Sequence, residues 1–437
     1  MPIGAAGFLC RVRRLLIKNA KALVGTLPRG TELVSGSAMA QLPIVVDGWL
    51  MAEDGIITAL GPMSAFPGVA DWADLRLIDA AGRYVLPGWC DSHTHVVFAA
   101  PREEEFVDKI KGLSYQEIAA RGGGILNSAM KLRAMDEDAL YAHAKGRLEE
   151  MMRHGTVAVE IKSGYGLSLE SELKMLRVIR RLKETMPLPV KATLLAAHAL
   201  PPEFKEDHEG YLRTICDELI PQVAQEGLAD FVDVFCETNY FTVAEMERVL
   251  MAGQAHGLRG KVHVNQFTSI GGVQAAIAHH AVSIDHLEEM SASDLDAVAG
   301  CSPSGGPIPT LLPSCSFYLR IPYAPARKLI DRGSPIALAS DFNPGSTPSG
   351  NLNLVLSLAC IQMRLLPEEA IAALTLNGAA AMRLQHELGS LCVGKRASLI
   401  ITKEIPSLAY LPYAFGSDNI DTVLIDGKPI RTGAALL

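Results

Sequence analysis

Eight short apolar runs, each followed by a stretch of helical texture, constrain this chain more than any other feature of it. They fall near residues 85–92, 156–161, 191–197, 230–236, 261–265, 282–285, 308–312 and 335–340. A near-continuous apolar run is what a strand buried on both faces requires, and such strands lie parallel and are joined by helical crossovers. Eight of them predict an α/β chain built as a (β/α)₈ TIM-type barrel. The run at 308–312 is the weakest, because it carries Pro309. The intervening segments carry helix signals. Between Glu170 and Met186, Leu173, Leu176, Ile179 and Leu182 recur every three residues as a buried stripe. Thr242 and Glu245 have the spacing of a capping box, and Gly257 stands where that helix should stop.

The two ends have a different texture. Residues 13–84 and the C-terminal stretch "GSLCVGKRASLIIT…DTVLIDGKPI" are short β-prone runs broken by glycine turns. They are expected to meet as one small discontinuous β-rich domain, made of residues 1–84 and 389–437 around a barrel of 85–388.

Composition narrows the class. Hydrophobic residues at 49% and charged residues at 20% suit a large buried core and exclude a disordered chain. With 48 acidic against 40 basic residues and no Lys/Arg cluster, a nucleic-acid partner is not expected. The longest charge-free stretch, Ala297 to Leu319, holds four prolines, so no membrane helix is expected there. Arg11, Arg13 and Arg14 follow the apolar start, the wrong side for a secretory signal. Eight cysteines from Cys10 to Cys392 show no CxxC pairing, which reads as reduced thiols in a cytoplasmic protein.

The chemistry gathers at the strand ends. Asp91-Ser92-His93-Thr94-His95 closes the first run, and alternate residues of a strand share a face, so His93 and His95 project together. Two imidazoles so placed can grip one divalent ion. His198, His263, His286 and Asp341 also follow predicted strands, on the face where barrel enzymes assemble their sites. The other seven histidines fall on helices or loops and receive no role. A His₃Asp set with an open position lowers the pKa of bound water toward ~7 and polarises a carbonyl, which is metal-assisted hydrolysis without an organic cofactor. Asp341 could both ligate the ion and take up the water's proton.

At this point the sequence resembles the amidohydrolase superfamily and, within it, most closely the imidazolonepropionase family. The segments that carry the resemblance include "PGWCDSHTHVVFAAPREEEF", "RGGGI", "EIKSGYGL", "LAAHALPPEF", "SIDHLEE", "LPSCSFYL" and "ALASDFNPGSTPSGN", spread over residues 80–400. The resemblance implies one Zn²⁺ or Fe³⁺ per subunit on His93, His95, His263 and Asp341. It implies substrate contacts from Arg102, Tyr165, His198 and Gln266, with Asn343, Gly345 and Ser346 completing the pocket. The implied reaction is hydrolysis of the ring C–N bond of 4-imidazolone-5-propanoate to N-formimidoyl-L-glutamate, the third step of histidine degradation.

The residue types agree. Arg102 offers a planar fork for a propanoate carboxylate, against the alternative of a surface arginine beside Glu103, Glu104 and Glu105. Tyr165 sits between two glycines after a strand, and His198 precedes a rigid Ala-Leu-Pro-Pro exit. His286 could bond the attacking water or the developing oxyanion, or simply buttress Asp341. The backbone amides of the 341–351 loop could recognise a carboxylate, although such turn-rich loops are also common with no ligand. Gln266 stands where some family members carry glutamate, and an amide cannot take a proton. Asp341, with His286, is then the expected base. Cys90 lies an odd number of residues from both histidines and is expected to face away from them. The expected partner is a small molecule; a homodimer is the candidate assembly, although no pattern specifies it. The rival readings are a heterocyclic-base deaminase, which expels ammonia with the same chemistry, and a non-catalytic barrel, which would be expected to have lost its ligands.

Overall fold

The computed structural model describes residues 13–113, 117 and 123–433, so Cys10, Arg11 and Gly122 of the sequence reading lie outside the described residues. Eight parallel strands run in sequential order: β1 (Trp89–Thr94), β2 (Thr156–Lys162), β3 (Val190–Ala197), β4 (Phe231–Cys236), β5 (Arg259–Val264), β6 (Ser283–His286), β7 (Ile308–Leu311) and β8 (Ala337–Leu338). Every one of them is buried along nearly its whole length, as the unbroken apolar runs require. Pro309 is accommodated within β7.

Although β8 pairs over only two residues, the hydrogen bonds continue past it. Asp341 N donates to His93 O at 3.0 Å and His95 N to Phe342 O at 2.9 Å, which joins the last strand to the first. The buried Asp91 adds a tie, its Oδ1 accepting from Ser340 N at 3.0 Å. Loss of solvation on burial pushes the Asp91 carboxyl up to about 7.

Helices form the outer layer. The helix Leu169–Thr185 is capped by Ser168 and buries Met175 and Val178 beside the four residues of the expected stripe, so its buried face is wider than a three-residue repeat. The helix Val243–Ala255 starts at the Thr242–Glu245 capping box, and Gly257 follows it at φ 78°. The charge-free stretch breaks into strand and short helices, and no described helix is long and apolar enough to cross a membrane.

The second sheet takes strands from both ends of the chain. Arg14–Val24 pairs antiparallel with Ile44–Glu53 and parallel with Leu75–Asp79 and Arg83–Pro87; Arg83–Pro87 pairs with Leu399–Glu404, and the sheet continues through Ile420–Ile425 to Lys428–Arg431. The run expected as one barrel strand at 85–92 is therefore two strands. Arg83–Pro87 belongs to the small sheet, and the chain crosses to β1 at Gly88, whose missing side chain leaves room for Val157. Apolarity continues through the crossing, which hides it from the sequence.

Candidate active site

Three of the strands that carry candidate donors, β5, β6 and β8, are cut off by residues in the left-handed region. Asn265 (φ 58°) ends β5, His286 (φ 85°) and Leu287 (φ 70°) end β6, and Asp341 (φ 56°) follows β8. Such conformations cost non-glycine residues roughly 1–2 kcal/mol each and persist where packing overdetermines them. Here they turn side chains toward the barrel axis.

Five imidazoles meet there. The His93 ring lies 5.3 Å from that of His95, 4.4 Å from His263 and 5.7 Å from His286, and His198 stacks on His95 at 5.5 Å. His93 Nε2 and His95 Nε2 both lie 3.5 Å from Asp341 Oδ1. His93, His95 and Asp341 form one group able to hold a metal ion, and His93, His263 and His286 form another that overlaps it. The Nε2 atoms of His93 and His263 are buried without a hydrogen-bond partner. A buried polar atom left bare costs roughly 1–3 kcal/mol, which a bound cation would offset. Burial first, then positive neighbours, holds His93, His95 and His263 well below the usual imidazole range, so their nitrogens are neutral donors. Burial raises the Asp341 carboxyl to about 6 against the opposing effect of His286. Three neutral imidazoles and a carboxylate suit zinc or iron.

Carboxylates brace this set from below. Asp285 Oδ2 accepts from His93 Nδ1 at 2.7 Å, which fixes the tautomer and leaves the Nε2 lone pair facing the axis. Asp233 Oδ2 lies 3.0 Å from His263 Nδ1, close but not aligned for a hydrogen bond, while Asp233 Oδ1 accepts from His263 N. Lys162 Nζ sits between the carboxylates, 2.8 Å from Asp233 Oδ2, 3.0 Å from Glu160 Oε1 and 3.7 Å from Asp285 Oδ2. Burial works to lower the Lys162 value, and these three carboxylates outweigh it and raise it. His286 follows the same logic, with burial opposed and overcome by Glu288, Asp341 and Asp285.

Above the donors opens a cavity of about 770 Å³ lined by His95, His263, His286 and Asp341 at its floor. Arg102, Tyr165, His198, Gln266, Asn343, Gly345 and Ser346 all line it as well. Arg102 Nε donates to Ser128 Oγ at 2.8 Å, and its guanidinium lies 5.9 Å from the centre of the Tyr165 ring. A Cβ on Gly345 would come within 2.5 Å of Arg102 Nη1, so that position must be glycine for the arginine to sit where it does. His198 Nδ1 donates to Gly164 O at 2.9 Å, and burial takes its imidazole down to about 4. Gln266 Nε2 donates to Cys315 Sγ at 3.4 Å.

The structure thus brings all the sequence-predicted residues to one place, with His93 beneath the cavity floor. One expectation changes. The amides of Gly345 and Ser346 both donate to Asn343 Oδ1 at 2.8 Å, so they hold the loop's own shape and are not presented to a carboxylate. Asn343 Nδ2 donates to Asp341 O and Ser346 Oγ, and Ser346 Oγ donates to Asp341 Oδ2, which makes the loop a clamp on Asp341. Cys90 packs toward the helix Leu376–Ala381 and belongs to none of the donor groups, and the seven described cysteines are all free. Sequence reasoning missed Glu160, Lys162, Asp233 and Asp285. All four are charges inside fully buried strands, Glu160 and Lys162 together in β2, and that anomaly was the available signal. It also missed Lys109, which lines the cavity and donates to Gly345 O at 3.2 Å.

A parallel barrel with imidazoles and a carboxylate converging at its mouth is the architecture of a hydrolase class, and comparison with known proteins agrees. The sequence model of the amidohydrolase family matches residues 84–430. Imidazolonepropionase of Christiangramia forsetii is 53% identical over 95% of this chain and 100% of its own length, and that of Geobacillus kaustophilus is 42% identical over 96% and 98%. Among solved structures, an adenosine deaminase from Xanthomonas campestris with bound zinc superposes at TM-score 0.69 (17% identity, 97% of this chain and 94% of that one). Escherichia coli guanine deaminase does so at 0.69 (14% identity, 96% and 99%), and at these identities both speak for the fold alone. The chain belongs to the amidohydrolase family and, within it, to the imidazolonepropionases.

Proposed function

We propose that this chain hydrolyses the ring C–N bond of 4-imidazolone-5-propanoate to N-formimidoyl-L-glutamate, in the degradation of histidine to glutamate. The observation that carries this reading is one cavity with a hydrolytic donor set at its floor and a buried-side guanidinium, Arg102, at its rim. A cation and a hydrolytic donor set in one cavity suit a small ring with an acidic tail, and full-length relatives at 42–53% identity bear the name of this activity.

In this reading His93, His95, His263 and Asp341 hold one zinc or ferric ion. When bound, the ion supplies an acidified water and polarises the ring carbonyl. Arg102 binds the propanoate bidentately, and Tyr165 and His198 confine the ring between them. Gln266 donates or accepts a hydrogen bond but takes no proton. Asp341 therefore receives the proton of the attacking water. His286, with Glu288 Oε1 3.4 Å from its Nδ1, takes that proton from Asp341 on its Nε2 and passes it to the departing ring nitrogen, which leaves both groups as they began. Ser346 and Asn343 keep Asp341 oriented.

The test is a coupled assay in which urocanase generates the substrate in place and mass spectrometry follows formimidoylglutamate. Product above the spontaneous background, abolished by a chelator, is the expected result. No product from folded, metal-loaded protein would overturn the substrate, and ammonia released from a heterocyclic base would put a deaminase in its place.

A further inference from the structure

Beside the proposed catalytic donors lies a second set that the reaction leaves partly unused. His286, Glu288 and Cys315 each place a ligand atom within 4.8 Å of the other two, and all three are buried. Glu288 Oε1 lies 3.4 Å from His286 Nδ1 and accepts from Ser316 Oγ at 3.2 Å. Its other oxygen, Oε2, has no hydrogen-bond partner, although Glu288 is only 5% exposed. A buried carboxylate oxygen left bare is expensive, and a cation is the natural partner for it. Cys315, wholly buried at the start of the helix Pro313–Leu319, completes the set with a sulfur.

We propose that His286 Nδ1, Glu288 and Cys315 form a second, weaker site for a thiophilic divalent cation such as zinc, and that filling it stops turnover. Sulfur and imidazole donors select zinc over magnesium or calcium, which prefer oxygen. Binding forms bonds from the ion to nitrogen, oxygen and sulfur, releases the thiol proton to solvent and changes no oxidation state. With Nδ1 held by the ion, the remaining imidazole proton sits on Nε2, and His286 cannot accept another there. The inhibitory consequence rests on the role proposed for His286, whereas the binding itself does not. Turnover then rises as the first metal loads and falls as zinc passes one equivalent.

The test is a titration of protein carrying one metal per chain with cobalt(II), followed by absorption and metal analysis. A second, weaker equivalent is expected, with a thiolate-to-cobalt charge-transfer band in the near ultraviolet. Cys315→Ser should lose both the band and the second equivalent while retaining the first, and excess zinc should lower turnover of the wild type by an order of magnitude. Saturation at one cobalt per chain, or a band that survives in Cys315→Ser, overturns the proposal. If Cys315→Ser fails to fold, Glu288→Gln replaces it, with loss of the second equivalent expected and its retention overturning the site. Failure of the first equivalent to bind would instead count against the catalytic reading, since the charge-transfer band reports the second site alone.

Discussion

Beneath the barrel mouth, Glu160, Lys162, Asp233, Lys261 and Asp285 are all fully buried, whereas in the small sheet the same depth is filled by Leu15, Ile17, Leu23, Leu50, Ile57, Val85, Leu399 and Ile401. Removing charges from water costs several kcal/mol per ion, and pairing returns that only with good geometry. Apolar side chains at equal depth contribute instead roughly 1.5–3 kcal/mol each. The barrel keeps these charges because Asp285 holds His93 by its Nδ1 and Asp233 holds the backbone N–H of His263; the sheet has no such duty and packs like an ordinary core. The N- and C-terminal strands of that sheet meet where Arg83–Pro87 pairs with Leu399–Glu404. The small sheet thus packs apolar side chains where the barrel, beside its own large apolar core, keeps charges.

The largest expected break in this division is at Asp341. Asp341→Asn should lower turnover by about 10³-fold or more, ~4 kcal/mol of barrier, in protein whose metal content has been measured. Turnover within an order of magnitude of wild type would remove Asp341 as the proton acceptor. Next, Lys162→Met leaves three buried carboxylates without their shared cation and should cost about 3–5 kcal/mol in urea unfolding. The same variant should bind metal less tightly, since Asp233 and Asp285 lose their common anchor. Leu50→Ala is its counterpart in the small sheet. It should cost about 2–5 kcal/mol and leave KM for the substrate unchanged; a shifted KM would show that the two regions are coupled.

Smaller effects sharpen the picture. Arg102→Ala should raise KM by roughly 10–100-fold, the worth of a charged hydrogen-bonded pair, with kcat less affected, and an unchanged KM would deny Arg102 the carboxylate. The smallest effect lies at the entrance to β4, where Asp230 accepts from Ala192 N and Lys191. Burial tends to raise its carboxyl, but these partners outweigh it and lower it. A depressed carboxylate stabilises the fold above its unfolded pKa and loses that contribution as pH falls through the folded value. The gap in stability between wild type and Asp230→Asn, about 1 kcal/mol at neutral pH, should therefore close below about pH 4. A gap that stays constant down to acid would mean that Asp230 acts by shape alone.

Much of this was legible in the residues. Unbroken apolar runs mark strands buried on both faces, and a histidine or aspartate at the ends of five of the eight marks the mouth. The passage from small sheet to barrel was not legible, because Tyr84 to Trp89 stays apolar while its hydrogen-bond partners change from Leu399–Glu404 to β2. Nor was the inward bracing by Asp233 and Asp285. A carboxylate in a strand names no partner, and the lysine that neutralises both comes from β2. The residue types of the loop after β8 suit an anion-binding turn and a ligand-free turn alike; in the structure Asn343 takes the amides of Gly345 and Ser346.

By itself the sequence determined the period of the strands, the ends of the helices and the kinds of donor available, since these depend on neighbours a few residues apart. Tertiary structure alone decided which donors converge, which tautomer His93 adopts and which buried oxygens are left bare. Those depend on partners separated by up to about two hundred and fifty residues, as with His93 and Asp341, and no local pattern encodes a distance that only barrel closure brings about.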